Sequence, residues 1–196
     1  MARRASRGPK QHPGTGEDAR DAVDAIVDQW RRERPDLDPS AKEITGRIVR
    51  LSGIFQQAYR DAFTPLGISD GEYGVLATLR RAGKPFELTP TELARQRMMT
   101  SGGMTAAIDR LERKGLAVRI PNPADRRGSL VRLTEEGRRV TDKAMARHVE
   151  VEHRLVAALG RAERETLRSL LRTLLLSLDP QESPEPEPGA DRSTPR

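Results

Sequence analysis

The segment from Thr100 to Arg113 has the residue types of a surface that contacts phosphate groups and base edges. Hydroxyl and glycine residues come first, and arginines follow at helical spacing. A helix begins with free amides and a positive dipole end, which bind phosphate, and arginine can reach phosphates or base edges. A solvated, capped helix that needs glycine only for its turn is the alternative. The candidate contacts to DNA are Thr100, Ser101, Gly102, Gly103, Thr105, Ala106, Asp109, Arg110 and Arg113.

A second group of cations lies between two short apolar segments, residues 116–120 and 130–133. The connector PNPADRRGS is rich in proline, glycine and asparagine, which favours a hairpin with Arg126 and Arg127 at its tip. An arginine at an exposed apex can enter a narrow minor groove, where the negative potential of the DNA stabilises its charge. We expect both arginines to contact DNA and Asp125 to orient one of them through a salt bridge. A solvated polar turn is the alternative.

Helices must position these two groups. Thr89, Pro90 and Glu92 form a capping box with proline at the first helical position, which predicts a short helix near residues 90–97. A turn and a second helix follow, and Gly115 ends that helix. A helix precedes this pair and the hairpin follows it. The predicted fold is mainly α with a small two-stranded wing, a winged helix-turn-helix flanked by further helices.

The basic charge of the chain is concentrated around these elements. The chain has a net charge of +6 at pH 7 and a pI near 10.2. Residues 95–140 contain eleven Arg or Lys against five Asp or Glu, and residues 1–16 contain four basic groups and no acid. This distribution indicates an anionic partner.

Catalysis and metal binding have little support in the sequence. It contains no cysteine, three histidines and no phosphate-binding loop. His148 and His153 are five residues apart, which separates them on a helix and favours solvated side chains over a zinc pair. We therefore expect no catalytic residue, no metal and no cofactor. No apolar run approaches the roughly 18 residues of a membrane span, so we expect a cytoplasmic protein without a membrane segment.

Residues 40–178 resemble the MarR family of transcription factors. The resemblance is carried by Thr89 to Ala94, by TSGGMTAAIDRLERKG from Thr100, by Asp125-Arg126-Arg127, and by Leu133 to Gly137. It implies a homodimer formed by the N- and C-terminal helices, two winged domains on a palindromic double-stranded DNA operator, and a pocket for a small-molecule effector. The apolar stripes of residues 44–62 and 155–178 can form the dimer surface, or they can close the core of one protomer.

The resemblance implies a domain organisation along the chain. Residues 1–17 are a disordered basic tail and 18–34 an extra N-terminal helix. Residues 40–66 and 138–178 form a helical dimerisation region around the winged helix-turn-helix DNA-binding domain at 67–137, and 179–196 are a disordered Pro/Glu-rich tail.

The extra helix with its single tryptophan is similar to that of the urate-responsive subgroup. Trp30 and Arg119 match two of the subgroup's four ligand-recognition positions. Gly74 and Ala107 stand where the subgroup has Asp and Arg, which removes a charge pair and argues for an effector other than urate. We expect a larger or less polar effector, with Gly74 and Ala107 making room for it. The candidate ligand residues are Trp30, Phe55, Tyr73, Gly74 and Arg119.

The sequence therefore predicts a ligand-responsive DNA-binding regulator, most simply a repressor that a small aromatic or anionic effector releases from DNA. The alternative is an architectural protein that binds DNA without sequence specificity, because the basic N-terminal tail (Arg3, Arg4, Arg7 and Lys10) could add phosphate contacts. An enzyme is the least supported class.

Overall fold

A computed structural model describes residues 19–178 of the chain, apart from the side chain of Arg126. The two predicted tails, residues 1–17 and 179–196, lie outside the described residues. Two compact units make up the chain, the first ending at Asp61 and the second beginning at Ala62. Each unit is described by itself below.

The first unit contains two helices, α1 (Ala22–Glu33) and most of α2 (Lys42–Phe63). Asp21 caps α1 in a capping box with Asp24, as such side chains satisfy the free amides of a first turn. Arg47 of α2 holds both carboxylates, with Nε 2.8 Å from Asp21 Oδ2 and Nη2 2.6 Å from Asp24 Oδ1. Val23 of α1 is buried against α2, so charge pairs and apolar packing together join the two helices.

The second unit contains the predicted winged helix-turn-helix. Its elements, after a 3-10 turn at Thr64–Leu66, are α3 (Asp70–Arg81), β1 (Glu87–Leu88), α4 (Pro90–Gln96), α5 (Ser101–Arg113), β2 (Ala117–Asn122), β3 (Asp125–Leu133), α6 (Glu135–Leu155) and α7 (Arg161–Leu178). The strands form an antiparallel sheet in the order β1-β3-β2. The predicted two-stranded wing therefore gains a third short strand, because Glu87 and Leu88 pair with Arg132 and Val131.

The core of this unit lies where α3, α4 and α5 meet the sheet. Its apolar side chains are fully buried and come from every one of these elements, and the largest are Leu76, Leu79, Leu93, Met104, Ile108, Leu111 and Val131. Burial of this kind stabilises a domain by roughly 25 cal/mol per Å² of apolar surface. The helices of the helix-turn-helix thus pack on one shared core.

Helix α6 begins at a tight junction with the wing. Thr134 caps the helix, and its hydroxyl also donates to the Gly115 carbonyl at 2.7 Å. A Cβ atom at Gly137 would lie 1.8 Å from the Leu116 carbonyl oxygen. Only glycine fits at this position, because the backbone at Gly137 lies directly against the backbone at Leu116. This close approach explains why the segment that begins at Thr134 contains a glycine.

The turn of the hairpin lies earlier than the sequence predicts. β2 continues to Asn122 and β3 begins at Asp125, so Pro123 and Ala124 form the turn. The Asn122 Oδ1 accepts from the Ala124 amide at 3.0 Å, which closes the chain there. Arg126 and Arg127 therefore lie on β3 just beyond the turn and not at the apex.

Candidate nucleic-acid interface

Helix α5 has one buried face and one polar exposed face. Thr100 caps it, with its Oγ1 accepting from the Gly103 amide at 3.2 Å. Met104, Ala107, Ile108 and Leu111 are buried in the core. Among the predicted contacts, those exposed are Thr100, Ser101, Gly102, Thr105, Ala106, Arg110 and Arg113, whereas Gly103 and Asp109 are partly buried. The structure thus brings the predicted residues to one side of a single helix.

Helix α4 and the turn after it fix the direction in which α5 begins. Thr89 and Glu92 form the predicted capping box, and Pro90 is the first residue of the helix. The hydroxyl and amide of Thr89 both donate to the Glu92 carboxylate, which lowers its pKa below the ordinary value. In the turn, Met98 has a left-handed backbone with φ 48°, and its side chain is exposed. The two helices form the helix-turn-helix that the sequence predicts.

The carboxylate of Glu72 anchors the end of α5 to the beginning of α3. The side chain is 2% exposed and lies 2.7 Å from Lys114 Nζ, with Arg110 Nε at 3.4 Å. Glu72 also closes a capping box with Ser69 at the beginning of α3. Burial raises the pKa of this carboxyl, but the hydrogen bonds from Lys114 and Ser69 outweigh burial and hold the pKa below its ordinary value.

This anchor changes the interpretation of Arg110, because its guanidinium is shared with a buried acid and not wholly free for DNA. Sequence reasoning missed Glu72. Its signal is a Ser-x-x-Glu capping box, which explains the glutamate locally and does not reveal that the carboxylate also reaches Lys114.

Arg119 of β2 ties the wing to the outer side of α5. Its Nη2 lies 2.6 Å from Asp109 Oδ1, its Nη1 pairs with Glu112, and its amide donates to Glu112 Oε1 at 2.8 Å. Asp109, a predicted DNA contact, and Arg119, a predicted ligand residue, therefore hold each other in this structure. Asp109 and Glu112 are three residues apart, so both carboxylates lie on the same side of α5. One cation on the next strand can therefore pair with both.

The wing presents Arg127 on an irregular stretch of β3. The pairing of β2 and β3 shifts between Pro121 and Asn122, which leaves residues 126–128 outside the regular ladder. The Arg127 side chain is exposed, and its amide donates to Asp125 Oδ1 at 2.9 Å. Asp125 thus orders the backbone beside the arginine. The side chain of Arg126 lies outside the described part of the chain.

The predicted ligand residues fall in both units. Trp30 is 48% exposed and Phe55 is partly buried in the first unit. Tyr73 belongs to the core of the second unit, where its ring stacks on Phe63 at 4.3 Å and its hydroxyl donates to Met145 Sδ at 3.0 Å. Burial raises the pKa of this phenol.

Gly74 and Ala107 do not leave the space for an effector that the sequence predicts, because other parts of the protein fill it. A Cβ atom at Gly74 would lie 2.2 Å from Arg97 Nη2, so the guanidinium of Arg97 occupies that space. Ala107 is fully buried in the core. The expectation overlooked Arg97 because it lies on another helix and far along the chain.

A metal site and a membrane-spanning helix are both absent from residues 19–178. Within that range there is no group of three or more His, Asp or Glu side chains arranged to hold a metal ion. The same range contains no helix that is long and apolar enough to cross a membrane.

Comparison with known proteins identifies the family. The sequence profile of the MarR family matches residues 66–128, from the end of the 3-10 turn before α3 into the wing. The HTH-type transcriptional regulator PecS of Dickeya dadantii is 36% identical over 149 residues, covering 76% of this chain and 90% of PecS. This chain belongs to the MarR family.

Solved MarR-family structures confirm the winged helix-turn-helix. A mutant MarR from E. coli in complex with operator DNA is 28% identical, with a TM-score of 0.61 over 74% of this chain and 97% of that protein. CouR from Rhodococcus jostii RHA1 bound to p-coumaroyl-CoA is also 28% identical, with a TM-score of 0.61 over 70% of this chain and 92% of CouR. The predicted fold class is confirmed, and PecS is named as a transcriptional regulator.

Proposed function

We propose that this protein is a cytoplasmic transcriptional repressor that binds a palindromic operator as a homodimer and is released by a small aromatic or anionic effector. The observation that carries the proposal is the exposed polar face at the beginning of α5, capped by Thr100 and supported from behind by a buried apolar face. The MarR–operator complex among the similar structures supports the same use of this fold.

On DNA, the first turns of α5 would enter a major groove. Ser101, Gly102, Thr105 and Ala106 are short side chains that allow the helix to lie close to base edges and phosphates. Arg113 would reach the phosphate backbone, and Arg127 on the wing would enter the flanking minor groove. Two copies would place their α5 helices about 10 bp apart.

The C-terminal helix supports the homodimer. None of the residues of α7 is buried, and the exposed leucines are Leu167, Leu170, Leu171, Leu174, Leu175 and Leu178. Several of them line a groove of about 510 Å³ with Val156 and Leu159. Contiguous apolar surface of this kind typically marks a protein interface. A second copy packed on α7 would bury these leucines, which do not close the core of a single described chain.

An effector would act by binding one arrangement of the DNA-binding domains better than the other. The similar protein CouR was solved with p-coumaroyl-CoA bound. This favours an aromatic acyl compound as the type of ligand. The proposed ligand residues are Trp30, Phe55, Tyr73, Gly74 and Arg119. Trp30 and Arg119 support a relation to the urate-responsive subgroup, while Gly74 and Ala107 argue against urate itself.

Affinity capture of sheared genomic DNA by the purified protein, repeated at moderate salt and sequenced, tests the DNA-binding proposal. We expect enrichment of a few inverted repeats beside operons. Diffuse enrichment that disappears as salt is raised would instead identify a sequence-nonspecific architectural protein.

A matched pair of variants then tests the role of α5. Arg113→Ala should weaken binding to the enriched repeat about tenfold at fixed salt, because it removes a phosphate contact. Arg32→Ala removes another exposed arginine, from α1, and should leave the affinity unchanged. Equal losses in both variants would contradict the assignment of α5 to the operator.

A further inference from the structure

Arg97 is a cation without an ionic partner among residues 19–178. It ends α4, where its amide donates to the Leu93 carbonyl at 3.0 Å. Its Nε is buried and has no hydrogen-bond partner. Arg138 has a similarly isolated Nε, but its Nη2 pairs with Glu135 at 2.7 Å. A buried charged donor without an acceptor destabilises a fold, so Arg97 requires an explanation that Arg138 does not.

The backbone of α3 is shaped to receive the Arg97 guanidinium. Gly74 is buried in the middle of α3, and a Cβ atom there would lie 2.2 Å from Arg97 Nη2 and 2.3 Å from its Cζ. Glycine inside a helix is unfavourable unless space is needed. The helix therefore leaves out a side chain where the guanidinium lies, and it offers no carboxylate in exchange.

The surroundings of Gly74 add a second cation, and among residues 19–178 no acidic side chain forms an ion pair with either arginine. The Thr78 hydroxyl donates to the Gly74 carbonyl at 2.8 Å and accepts from Arg81 Nη2 at 3.3 Å. Arg81 and Arg97 both act electrostatically on the Tyr73 hydroxyl, as does Glu152. Glu152 lies 3.7 Å from His148 Nδ1, and in the described chain neither arginine forms an ion pair with it.

We propose that Arg97, lying over Gly74, binds the carboxylate of the effector. This inference rests on the proposed function and names the anionic end of its ligand. A planar guanidinium binds a carboxylate through two parallel hydrogen bonds, and Arg97 is only partly buried as a residue, so solvent reaches part of it. Arg97 stands three residues before the Thr100 cap of α5, so an anion held there acts directly on the turn that directs α5.

Benzoate is a suitable probe, with uncharged benzamide as its matched control. In protein labelled with 15N-arginine, the Arg97 Nε–Hε signal is assigned by its loss in Arg97→Lys. We expect benzoate to shift this signal saturably, at constant ionic strength, and benzamide to leave it unmoved. Arg97→Gln should weaken benzoate binding at least about tenfold, as loss of a charged hydrogen bond does. Arg97→Lys should retain part of it.

Gly74→Asp provides an internal competitor. The atoms nearest to its Cβ belong to the far end of the Arg97 side chain, which can move, and its carboxylate would pair with the guanidinium. We expect this variant to fold and to lose benzoate binding. Arg32→Gln, on the exposed face of α1, should bind benzoate as the wild type does.

Two results would overturn the proposal: an unmoved Nε–Hε signal up to the solubility limit of benzoate, or benzoate binding that Arg97→Gln leaves unchanged. Operator binding by the wild-type protein is measured in parallel. Specific operator binding together with a failure of benzoate to bind at Arg97 would refute this inference alone, whereas the absence of specific operator binding would refute the proposed function.

Discussion

The two halves of α5 differ in what holds their polar side chains. In the first half, Ser101, Gly102, Thr105 and Ala106 lie exposed at the surface. In the second half, the charged side chains other than the exposed Arg113 are tied to neighbouring elements, because Asp109 and Glu112 pair with Arg119 of β2, and Arg110 shares Glu72 with Lys114. The comparison separates the residues that could contact DNA from the residues that hold the helix in place.

The division has a physical reason. A side chain that must exchange water for DNA loses less energy when it has no strong partner in the free protein, whereas a positioning side chain works only if its partner stays in place. The C-terminal end of α5 also has to be fixed, because a tilt of the helix would displace the exposed residues at its N-terminal end. The following predictions test this division, from the largest expected effect to the smallest.

A carboxylate placed in the first half should abolish operator binding. In Ala106→Glu the new charge would face the phosphate backbone, and like charges brought together at an interface cost several kcal/mol. We expect operator affinity to fall at least about a hundredfold, measured by fluorescence anisotropy at fixed salt. The melting temperature should change little, because Ala106 is exposed.

The control is Ala25→Glu, which places the same charge at an exposed position of α1. This variant should bind the operator like the wild type. If Ala106→Glu retained its affinity, the exposed face of α5 would not be the surface that meets DNA.

Removal of the Glu72 carboxylate should destabilise the domain. Glu72→Ala deletes a buried acceptor of Lys114 and one partner of the α3 capping box. We expect the free energy of unfolding in urea to fall by about 2 kcal/mol, with operator affinity reduced less than in Ala106→Glu. Glu33→Ala, at an exposed position, should change the free energy by less than about 0.5 kcal/mol.

The same carboxylate predicts a dependence of stability on pH. The pKa of Glu72 is lowered below its ordinary value of 4.5 in the folded protein. Its contribution is therefore complete above pH 4.5 and is lost as the pH falls through the lower folded pKa. Wild-type protein should lose more stability than Glu72→Gln on acidification below pH 4.5, and parallel losses would show that another group carries the dependence.

Loss of the wing arginine should weaken operator binding moderately and make it less sensitive to salt. Arg127 is exposed and its backbone is fixed by Asp125, so Arg127→Ala removes one cation with little effect on folding. We expect a fivefold to tenfold loss of affinity and a decrease of about 1 in the slope of log K against log salt. An Arg127→Ala protein with unchanged affinity would exclude the wing from the interface.

The sequence predicted those parts of the molecule that depend on local signals. The predicted capping box of Thr89 and Glu92 begins α4 in the structure, with Pro90 at its first position, because a cap needs only residues within one turn. The contact of Glu72 with Lys114 and the position of Arg97 over Gly74 could not be predicted, since they join parts of the chain that meet only after folding. The hairpin turn was misplaced for a related reason: proline and glycine mark a connector but do not fix the register of its strands.

The smallest effect is expected at the pairing between α5 and the wing. Glu112→Gln leaves Asp109 as the partner of Arg119 and retains an acceptor for the Arg119 amide. Because these groups are partly exposed, we expect a loss of less than about 1 kcal/mol in the free energy of unfolding and a change in operator affinity within about threefold. Calorimetry and anisotropy measure the two quantities. A large loss of affinity at unchanged stability would place Glu112 among the contacting residues and would move the division between the halves of α5 towards its C-terminal end.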